Sequence, residues 1–267
     1  METSHNIESY IHESTYAPNK FNHHGHRSRH LLLGVELEVD KGGEDGNKAK
    51  EVLSILNNGD PASEVNCYIK RDNTLRCGFE VVSQPATVWY HLRKIPWKQA
   101  FGYLLSVGYE SDTTSTCGLH VHFNKVFLCS TGSKILAGNA KLLYLFEENW
   151  GEIVQFSRRD LNQIDRWCQR YGCLSIHRAL RLNEDRKEYA INFQNSRTNE
   201  IRVFRGTLKY DTFVATLLFV HNLVLYCKKT MHKLNDSWED FLKFIRKDKR
   251  NNPLILYMQE RELWTLQ

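Results

Sequence analysis

Alternation of apolar and acidic residues marks the first predicted strand, residues 31–39, whose sequence is LLLGVELEV. Residues two apart on a β-strand project from the same face. Glu36 and Glu38 therefore lie on one face, and three large apolar side chains lie on the other. The common interpretation is an edge strand with both glutamates in water. The alternative is a metal site, because two carboxylates aimed into one space repel each other unless cations lie between them.

Two later extended segments also carry ionisable side chains. In the run 117–123 (CGLHVHF), His120 and His122 share one face. Lone histidines in strands are usually structural, but a same-face pair suggests a site, because neutral imidazoles bind metals and protonated ones contact phosphates. In the run 79–82 (FEVV), Glu80 stands among apolar residues. A buried carboxylate needs a cation or hydrogen-bond donors, whereas a glutamate on the wet face of the strand needs neither.

A third segment, residues 200–208, is the second strand of a predicted hairpin. Period two places Glu200, Arg202 and Phe204 on one face and Arg205 on the other. An acid and an arginine on one face can serve the same site, where the acid binds a metal and the guanidinium binds an oxyanion. The alternative is a surface ion pair.

Helical periodicity fills much of the remaining chain. Apolar residues recur at i, i+3, i+4 and i+7 after the turn at 41–46, after Pro96, and after two N-terminal capping residues, Asp211 and Ser237. The predicted core side of the second of these helices consists of Trp97, Ala100, Phe101, Leu104 and Leu105.

The domain organisation follows from the same pattern. Residues 133–187 are mainly helical, with an apolar face that begins at Leu136 and an arginine-rich second half. Most of its arginines are expected to be solvated, and one or two could reach a nucleotide; they are Arg158, Arg159, Arg166, Arg170, Arg178 and Arg181. No linker composition separates this segment, so we expect a helical insertion in one α+β domain spanning 31–267. Residues 1–30 hold six of the twelve histidines. A loosely ordered polar lead-in is favoured there over a metal-binding arm.

Composition narrows the classes of function. With 41% hydrophobic and 25% charged residues, the chain resembles an ordinary soluble globular protein. A net charge of +5 suits an anionic substrate such as a nucleotide, without the dense basic stripe of a nucleic-acid binder. Seven cysteines without a C-x-x-C pair indicate free thiols in a reducing compartment. No signal peptide and no long apolar run are evident, so we expect a cytoplasmic protein that does not bind membranes.

The polar groups of these segments form one chemical set. One shared cavity explains glutamates, histidines and an arginine on successive strands better than separate coincidences. Four carboxylates with histidine are a hard, oxygen-dominated ligand set, which suits Mg²⁺ or Mn²⁺ better than structural zinc. Magnesium held by carboxylates beside arginines usually binds a nucleoside triphosphate.

The motifs also occur in a characteristic order. They are E-x-E at 36–38, D-x-T and then G-x-E-x-V-S-x-P within 72–85, G-x-H-x-H at 118–122, and E-x-R followed by F-R-G-T-L within 200–208. In this order the chain resembles the amidoligase family of the carboxylate-amine ligase superfamily, which is related to glutamine synthetase and glutamate-cysteine ligase. The resemblance spans roughly residues 31–226.

This resemblance implies a fold and a ligand. The fold is a curved, mainly antiparallel sheet of the glutamine synthetase-like type, with helices on the convex side. ATP and divalent ions, Mg²⁺ or Mn²⁺, occupy the concave side. By motif position, Glu38 and Glu80 would hold the ion nearer the substrate. The ion that bridges the ATP phosphates would be held by Glu36, His120 and Glu200.

Four further residues match family positions. His122 would lie near the nucleotide phosphates, and Arg202 would stabilise the transferred phosphoryl group or the substrate carboxylate. Asp72 and Arg205 would complete the catalytic set without a defined role. Arg205 alternates away from Arg202 in an ideal strand, and a bulge at Gly206 would re-aim it.

The implied activity is ATP-dependent amide formation through an acyl phosphate. The carboxylate and amine partners can be small molecules, peptides or proteins, and an oligomer is possible. A phosphotransferase on the same scaffold and a metal-dependent hydrolase using His120 and His122 are the alternatives. A nucleophilic Cys117 is disfavoured because no orienting partner is evident. A module that binds nucleic acid through the basic C-terminal helices is also unfavoured, and its binding would weaken strongly with salt.

Overall fold

The computed structural model describes residues 10–18, 21–24, 30–128, 132–172, 188–233 and 237–265. Its centre is an open, six-stranded antiparallel sheet with the order β2-β3-β1-β4-β6-β5. The strands are β1 Leu33–Val39, β2 Cys67–Lys70, β3 Phe79–Ser83, β4 Gly118–Asn124, β5 Ile191–Asn192 and β6 Thr198–Arg205. The predicted mixed α+β class and the antiparallel sheet are confirmed.

Strand β1 lies in the interior of the sheet, between β3 and β4. Val35, Leu37 and Val39 are fully buried on the apolar face, as the alternation predicts. The edge-strand interpretation is wrong, because partners on both sides cover the strand and leave Glu38 only 4% exposed. On the polar face of β1, Glu38 is therefore buried and Glu36 is half-buried.

Helices account for most of the remaining described chain. They are α1 Gly46–Leu56, α2 Val88–Arg93, α3 Trp97–Ser106, α4 Lys125–Leu128, α5 Gly132–Glu148, α6 Trp150–Ser157, α7 Leu161–Trp167, α8 Tyr210–Lys229, α9 Trp238–Arg246 and α10 Asn252–Glu260. The helical prediction for 133–187 is confirmed through Trp167, and residues 173–187 lie outside the described part. Helix α8 begins before Asp211, which lies in its first turn and is not its N-cap. Ser237 does cap α9, by accepting from the backbone N–H of Asp240.

Two leucines predicted to be in the core are exposed. In α3, Trp97, Ala100, Phe101 and Leu104 form the buried stripe, and Leu105, one position further round the helix, is 54% exposed. Leu136 of α5 is also exposed. The stripe is complete at i, i+3, i+4 and i+7, which leaves the next residue facing solvent.

The core lies between the apolar face of the sheet and the helices. Helix α8 runs through its centre, where Phe219 stacks on Phe156 with ring centroids 4.2 Å apart and meets Phe204 of β6 edge-on at 6.0 Å. Near the start of the same helix, Phe213 packs against Trp97 of α3 at 5.0 Å. These contacts hold the helices against the apolar face of the sheet, opposite the face that carries Glu36 and Glu38.

Helix α8 is long and apolar enough, by length and composition, to cross a membrane. The sequence prediction that no such run exists is therefore wrong. However, 72% of its most apolar window is buried inside the protein. This is the burial expected of the central helix of a soluble globular domain.

Part of the histidine-rich lead-in packs against the sheet. His12 bridges to β2 in parallel: its backbone N–H donates to the carbonyl of Ile69, and its carbonyl accepts from Arg71. Its imidazole Nε2 lies 2.6 Å from Glu64 Oε1. Because β2 is an edge strand, this segment covers backbone groups that an open edge would leave unpaired.

Candidate metal centre

Strand register brings the predicted ligands together on the polar face of the sheet, hereafter the acid face. Glu36 is paired with His120, and Glu38 with Glu80. His122 is paired with Glu200 on the other side of β4. The side chains of directly opposite residues share a face and lie close together. All five predicted metal ligands and His122 therefore project from four adjacent strands into one space.

The two histidines stand among the carboxylates. His120 Nδ1 lies 3.5 Å from Glu200 Oε1 and 3.7 Å from Glu36 Oε2, and its Nε2 lies 3.9 Å from Glu38 Oε1. His122 Nε2 lies 3.3 Å from Glu36 Oε1. Within the described chain, the buried atoms His120 Nδ1 and His122 Nε2 have no hydrogen-bond partner of good geometry. Such unsatisfied nitrogens between acids fit ligands of a cation.

Among the described residues, three groups of three side chains have ligand atoms within 4.8 Å of one another. One group is Glu36, His122 and Glu200; the second is Glu36, Glu80 and His120; the third is Glu38, Asp72 and Glu80. The groups share members, so the acid face forms a continuous row of candidate cation positions along the sheet.

These groups refine the ligand sets that the family resemblance implies. Glu38 and Glu80 do lie together, and Asp72 joins them. Glu36 and Glu200 group with His122, while His120 groups with Glu36 and Glu80. His120 Nδ1 nevertheless lies near both Glu36 and Glu200, so either histidine can complete the Glu36 and Glu200 set.

Asp72 reaches the acid face from the loop after β2. Its Oδ1 accepts from the backbone N–H of Thr74 at 2.7 Å and from the hydroxyl of Thr74 at 2.6 Å. This D-x-T turn fixes the carboxyl group at the end of the row occupied by Glu38 and Glu80. The D-x-T motif thus has a structural reason, and it places Asp72 beside Glu38 and Glu80.

The pKa values of the carboxyl groups on the acid face are shifted in opposite directions. Burial acts to raise the pKa of Glu36, but the charge of His122 and the close approach of both imidazoles hold it well below its usual range. Burial likewise opposes the lowered pKa of Glu200, which His122 and Arg202 outweigh. For Glu80, burial and then the charge of Glu36 raise the pKa well above the usual range. Divalent cations would relieve this repulsion.

Sequence reasoning missed Lys70, which supplies a positive charge to the acid face. Its Nζ lies 3.1 Å from Glu80 Oε2 and 3.7 Å from Glu36 Oε1. Burial acts to lower the pKa of Lys70, but the charges of Glu36 and Glu80 raise it. Lys70 is paired with Glu80 across β2 and β3. In the sequence, Lys70 is the last residue of a short strand. A lysine at such a position is usually exposed to solvent, so the sequence did not reveal its contact with the acids.

A bulge in β6 corrects the prediction for Arg205. Leu119 is opposite Phe204 and Val121 is opposite Ile201, so the two residues Arg202 and Val203 oppose the single residue His120. The bulge reverses the alternation beyond it. Phe204 therefore lies on the apolar side with Leu119, and the prediction that it shares a face with Glu200 is wrong. The prediction of a bulge at Gly206 is also wrong, because the bulge lies earlier, at Arg202 and Val203.

The same bulge brings Arg205 onto the acid face. Arg205 is opposite Gly118, the glycine of the histidine motif, and its Nη2 donates to the carbonyl of Thr114 at 3.3 Å. Arg202, on the acid face by ordinary alternation, forms an ion pair with Glu200. Asn192 of β5 donates to the other oxygen of Glu200 at 3.0 Å.

Of the arginines in this stretch, most of which are expected to be solvated, Arg159 is buried and Arg158 is half-buried. Arg159, between α6 and α7, is 6% exposed and donates from Nε to the carbonyl of Val203. Its neighbour Arg158 donates to the carbonyl of Arg205 and approaches the hydroxyl of Tyr257. Arg166 and Arg170 are exposed, as expected. The remaining arginines of that prediction, Arg178 and Arg181, lie outside the described residues.

A cavity of about 330 Å³ opens beside one end of the row. Its lining includes Glu36, His122 and Lys70, together with Tyr68 and the lead-in residue Tyr16. The two tyrosine rings meet edge-on at 5.4 Å. An aromatic-walled cavity next to acidic and basic groups is suited to a ligand with a planar ring and a charged tail.

The cysteine nucleophile has no support in the geometry. Cys117 is buried, and burial raises the pKa of its thiol to about 12. Its Sγ contacts are a threonine hydroxyl and the carbonyl of Glu110, at 3.9 and 4.0 Å. A neutral thiol without an adjacent base is a poor nucleophile.

Comparison with known proteins adds no further assignment. No protein-family model matches this chain, and no curated protein matches it. The case for a function therefore rests on the acid face and on the motif order.

Proposed function

We propose that this protein is an ATP- and Mg²⁺-dependent carboxylate-amine ligase that forms an amide bond through an acyl phosphate. The observation that carries the proposal is the row of three overlapping ligand groups on the acid face, with Arg202 and Arg205 beside it. The order of the motifs in the sequence supports the same reaction. So does the need of these buried carboxylates for cations.

The proposed reaction has two steps. A carboxylate oxygen of the first substrate attacks the γ-phosphorus of ATP, the bond to the β-phosphate oxygen breaks, and ADP leaves. The nitrogen of the amine then attacks the acyl carbon, the bond to the phosphate oxygen breaks, and inorganic phosphate leaves with the amide formed. The amine loses one proton in the second step. Bound Mg²⁺ would neutralise the phosphate charges during both transfers.

Residue roles follow their places along the row. Glu38 and Glu80, with Asp72, would hold the ion nearer the substrate. Glu36 and Glu200, with His120 or His122, would hold the ion that bridges the ATP phosphates. Two of the groups support this division, because Glu38, Asp72 and Glu80, and likewise Glu36, His122 and Glu200, offer ligand atoms within 4.8 Å of one another.

The remaining groups would bind the organic parts of ATP and the transferred group. The cavity lined by Tyr16 and Tyr68 would take the nucleoside, which directs the phosphates past Glu36 and His122 towards Glu38. Arg202 and Arg205 would contact the transferred phosphoryl group or the carboxylate, since guanidinium binds oxyanions with paired donors. We expect the reaction to take place in the cytoplasm, on small-molecule, peptide or protein substrates.

The test is isotope transfer from carboxylate to phosphate. The purified protein is incubated with ATP, Mg²⁺, ammonium and a mixture of ¹⁸O-carboxylate-labelled amino acids and dicarboxylic acids. The proposal predicts ADP, an amide, and inorganic phosphate that carries one ¹⁸O atom. Glu200→Gln should abolish the products, whereas Glu51→Gln, an exposed glutamate of α1, should not.

Other products would favour other reactions. A phosphorylated acceptor with ADP and no free phosphate would indicate a phosphotransferase. AMP and pyrophosphate, or hydrolysis that proceeds without ATP, would contradict the proposal.

A further inference from the structure

Arg159 occupies a place on the acid face that no sequence motif predicts. A side chain on Gly118 would lie 2.6 Å from His120 Nε2 and 2.9 Å from Arg159 Nη2. The guanidinium of Arg159 therefore stands directly over Gly118, beside the imidazole of His120. The glycine of the G-x-H-x-H motif is required here because both side chains fill its side-chain space.

The β6 bulge anchors one edge of this guanidinium. Arg159 Nε and Nη2 donate to the carbonyls of Val203 and Phe204, each at 3.2 Å. These carbonyls belong to the segment where the bulge interrupts the ladder with β4. Arg159 is thus held at a fixed orientation by two backbone acceptors, and its third nitrogen is left for another partner.

That third nitrogen, Nη1, is buried and has no hydrogen-bond partner within the described ranges. The same is true of Arg202 Nε and Arg205 Nε. Buried guanidinium donors are normally satisfied, because an unpaired buried donor costs its full desolvation energy. Three arginines with unpaired donors near Gly118 are suited to binding an oxyanion.

We infer that Arg159, together with Arg202 and Arg205, binds a substrate oxyanion at the Gly118 end of the acid face. The identity of the anion rests on the proposed function: it is either the transferred phosphoryl group or the substrate carboxylate. Arg159 is then a further catalytic residue, contributed by the helical insertion and not by the sheet. Its Nη1 donates to an oxygen of the anion, and its charge offsets the negative charge next to Glu38.

Anion binding by variants of Arg159 tests the inference. The dissociation constants of inorganic phosphate and of acetate are measured by titration calorimetry in the presence of Mg²⁺ and ADP. For Arg159→Gln and Arg159→Lys, we expect the constant of the bound anion to rise at least about tenfold, the usual effect of losing a charged hydrogen bond. The lysine variant keeps the charge but loses the fork, and it serves if the glutamine variant does not fold.

Arg158→Lys is the control, because Arg158 is the half-buried neighbour of Arg159 and also bonds to the β6 segment, at the carbonyl of Arg205. Loss of binding in Arg159 variants but not in this control supports the inference, and equal loss in both overturns it. Binding of phosphate identifies the phosphoryl group, and binding of acetate alone identifies the carboxylate. Failure of the wild type to bind either anion, or wild-type binding by Arg159→Gln, also overturns it.

The same titration separates this inference from the proposed function. It is repeated with Mn²⁺ and phosphate in the absence of nucleotide. Phosphate binding that depends on Arg159, in a protein that does not bind ADP, would overturn the ligase proposal and leave the oxyanion site standing.

Discussion

Glu38 and Glu80 lie directly opposite each other across the antiparallel ladder of β1 and β3, and both are almost fully buried. Burial raises the pKa of both carboxyl groups, to the largest extent in Glu80, where the charge of Glu36 adds to it. Two acids in this relationship favour a bound cation, and in its absence they favour a proton. Glu38 and Glu80 therefore repel each other in the metal-free protein, and a bound cation would remove this repulsion.

Replacing one of these acids should stabilise the metal-free protein and weaken metal binding. Because the pKa of folded Glu80 lies above that of the unfolded chain, its contribution to stability is present at low pH and is lost as pH rises. At pH 8 in EDTA, Glu80→Gln should raise the free energy of unfolding by about 1–3 kcal/mol, measured by urea denaturation. It should also reduce the stabilisation by Mn²⁺. Glu51→Gln, which changes an exposed glutamate of α1, is the control, and a Glu80→Gln protein less stable than wild type in EDTA would contradict the predicted repulsion.

Lys70 should have the opposite effect. Its ammonium group offsets Glu36 and Glu80 when no divalent ion is bound, so Lys70→Met leaves the buried Glu80 and the half-buried Glu36 with less compensation. We expect a loss of about 3 kcal/mol of stability in EDTA, and recovery of most of it with Mn²⁺. Lys41→Met, which removes an exposed pair with Glu110, should show neither effect. If Mn²⁺ does not restore the lost stability, Lys70 stabilises the fold without compensating the charge of the acid face.

Gly118→Ala should disrupt the acid face without removing any ligand. The added Cβ would lie 2.6 Å from His120 Nε2, so the imidazole or Arg159 must move. Binding of Mn²⁺ and phosphate should weaken, as measured by calorimetry. Gly102→Ala in α3 is the control: the added Cβ has no atom within 4 Å, and alanine should stabilise the helix by about 0.5–1 kcal/mol. Wild-type ligand affinities in Gly118→Ala would contradict the packing described.

His91 should make folding sensitive to acid, independently of the acid face. It is fully buried, and burial lowers its pKa from 6.5 to about 4 while its Nε2 contacts the carbonyl of Leu33 at 3.0 Å. The folded protein binds the neutral ring, so this stability is present above pH 6.5 and is lost as pH falls towards 4. At pH 5 the loss is about 2 kcal/mol relative to pH 7.5.

Urea midpoints at the two pH values for wild type and His91→Gln measure this effect. The variant should lose less stability between pH 7.5 and pH 5, whereas the exposed His232→Gln should behave like wild type. Equal pH dependence in all three proteins would show that His91 is not the titrating group.

Sequence patterning predicts the central strands well for a physical reason. Strands β1 and β4 are regular and have partners on both sides, so period two places Glu36, Glu38, His120 and His122 correctly. The same rule fails in β6, because one extra residue at the bulge reverses the face of every later side chain. Arg205 shows that error.

The groups that sequence patterning misses come from outside those strands. Lys70 lies at the end of a short strand, and its role depends on its pairing with Glu80, which patterning does not reveal. Arg159 follows a helix in an arginine-rich stretch, where most side chains are expected to be in water. Its burial depends on where α6 ends relative to the β6 bulge, a tertiary relationship without a local signal.

The most direct test of the account is the melting temperature with ATP and Mg²⁺. A ligand that binds only the folded state raises stability by mass action, by about 5 °C or more at a hundredfold excess over its dissociation constant. We expect this rise for wild type and for the exposed double variant Glu51→Ala with Glu260→Ala, and no rise for the double variant Glu36→Gln with Glu38→Gln. Equal stabilisation of the Glu36→Gln, Glu38→Gln protein, or stabilisation of wild type by Mn²⁺ but not by ATP with Mg²⁺, would contradict an ATP site on the acid face.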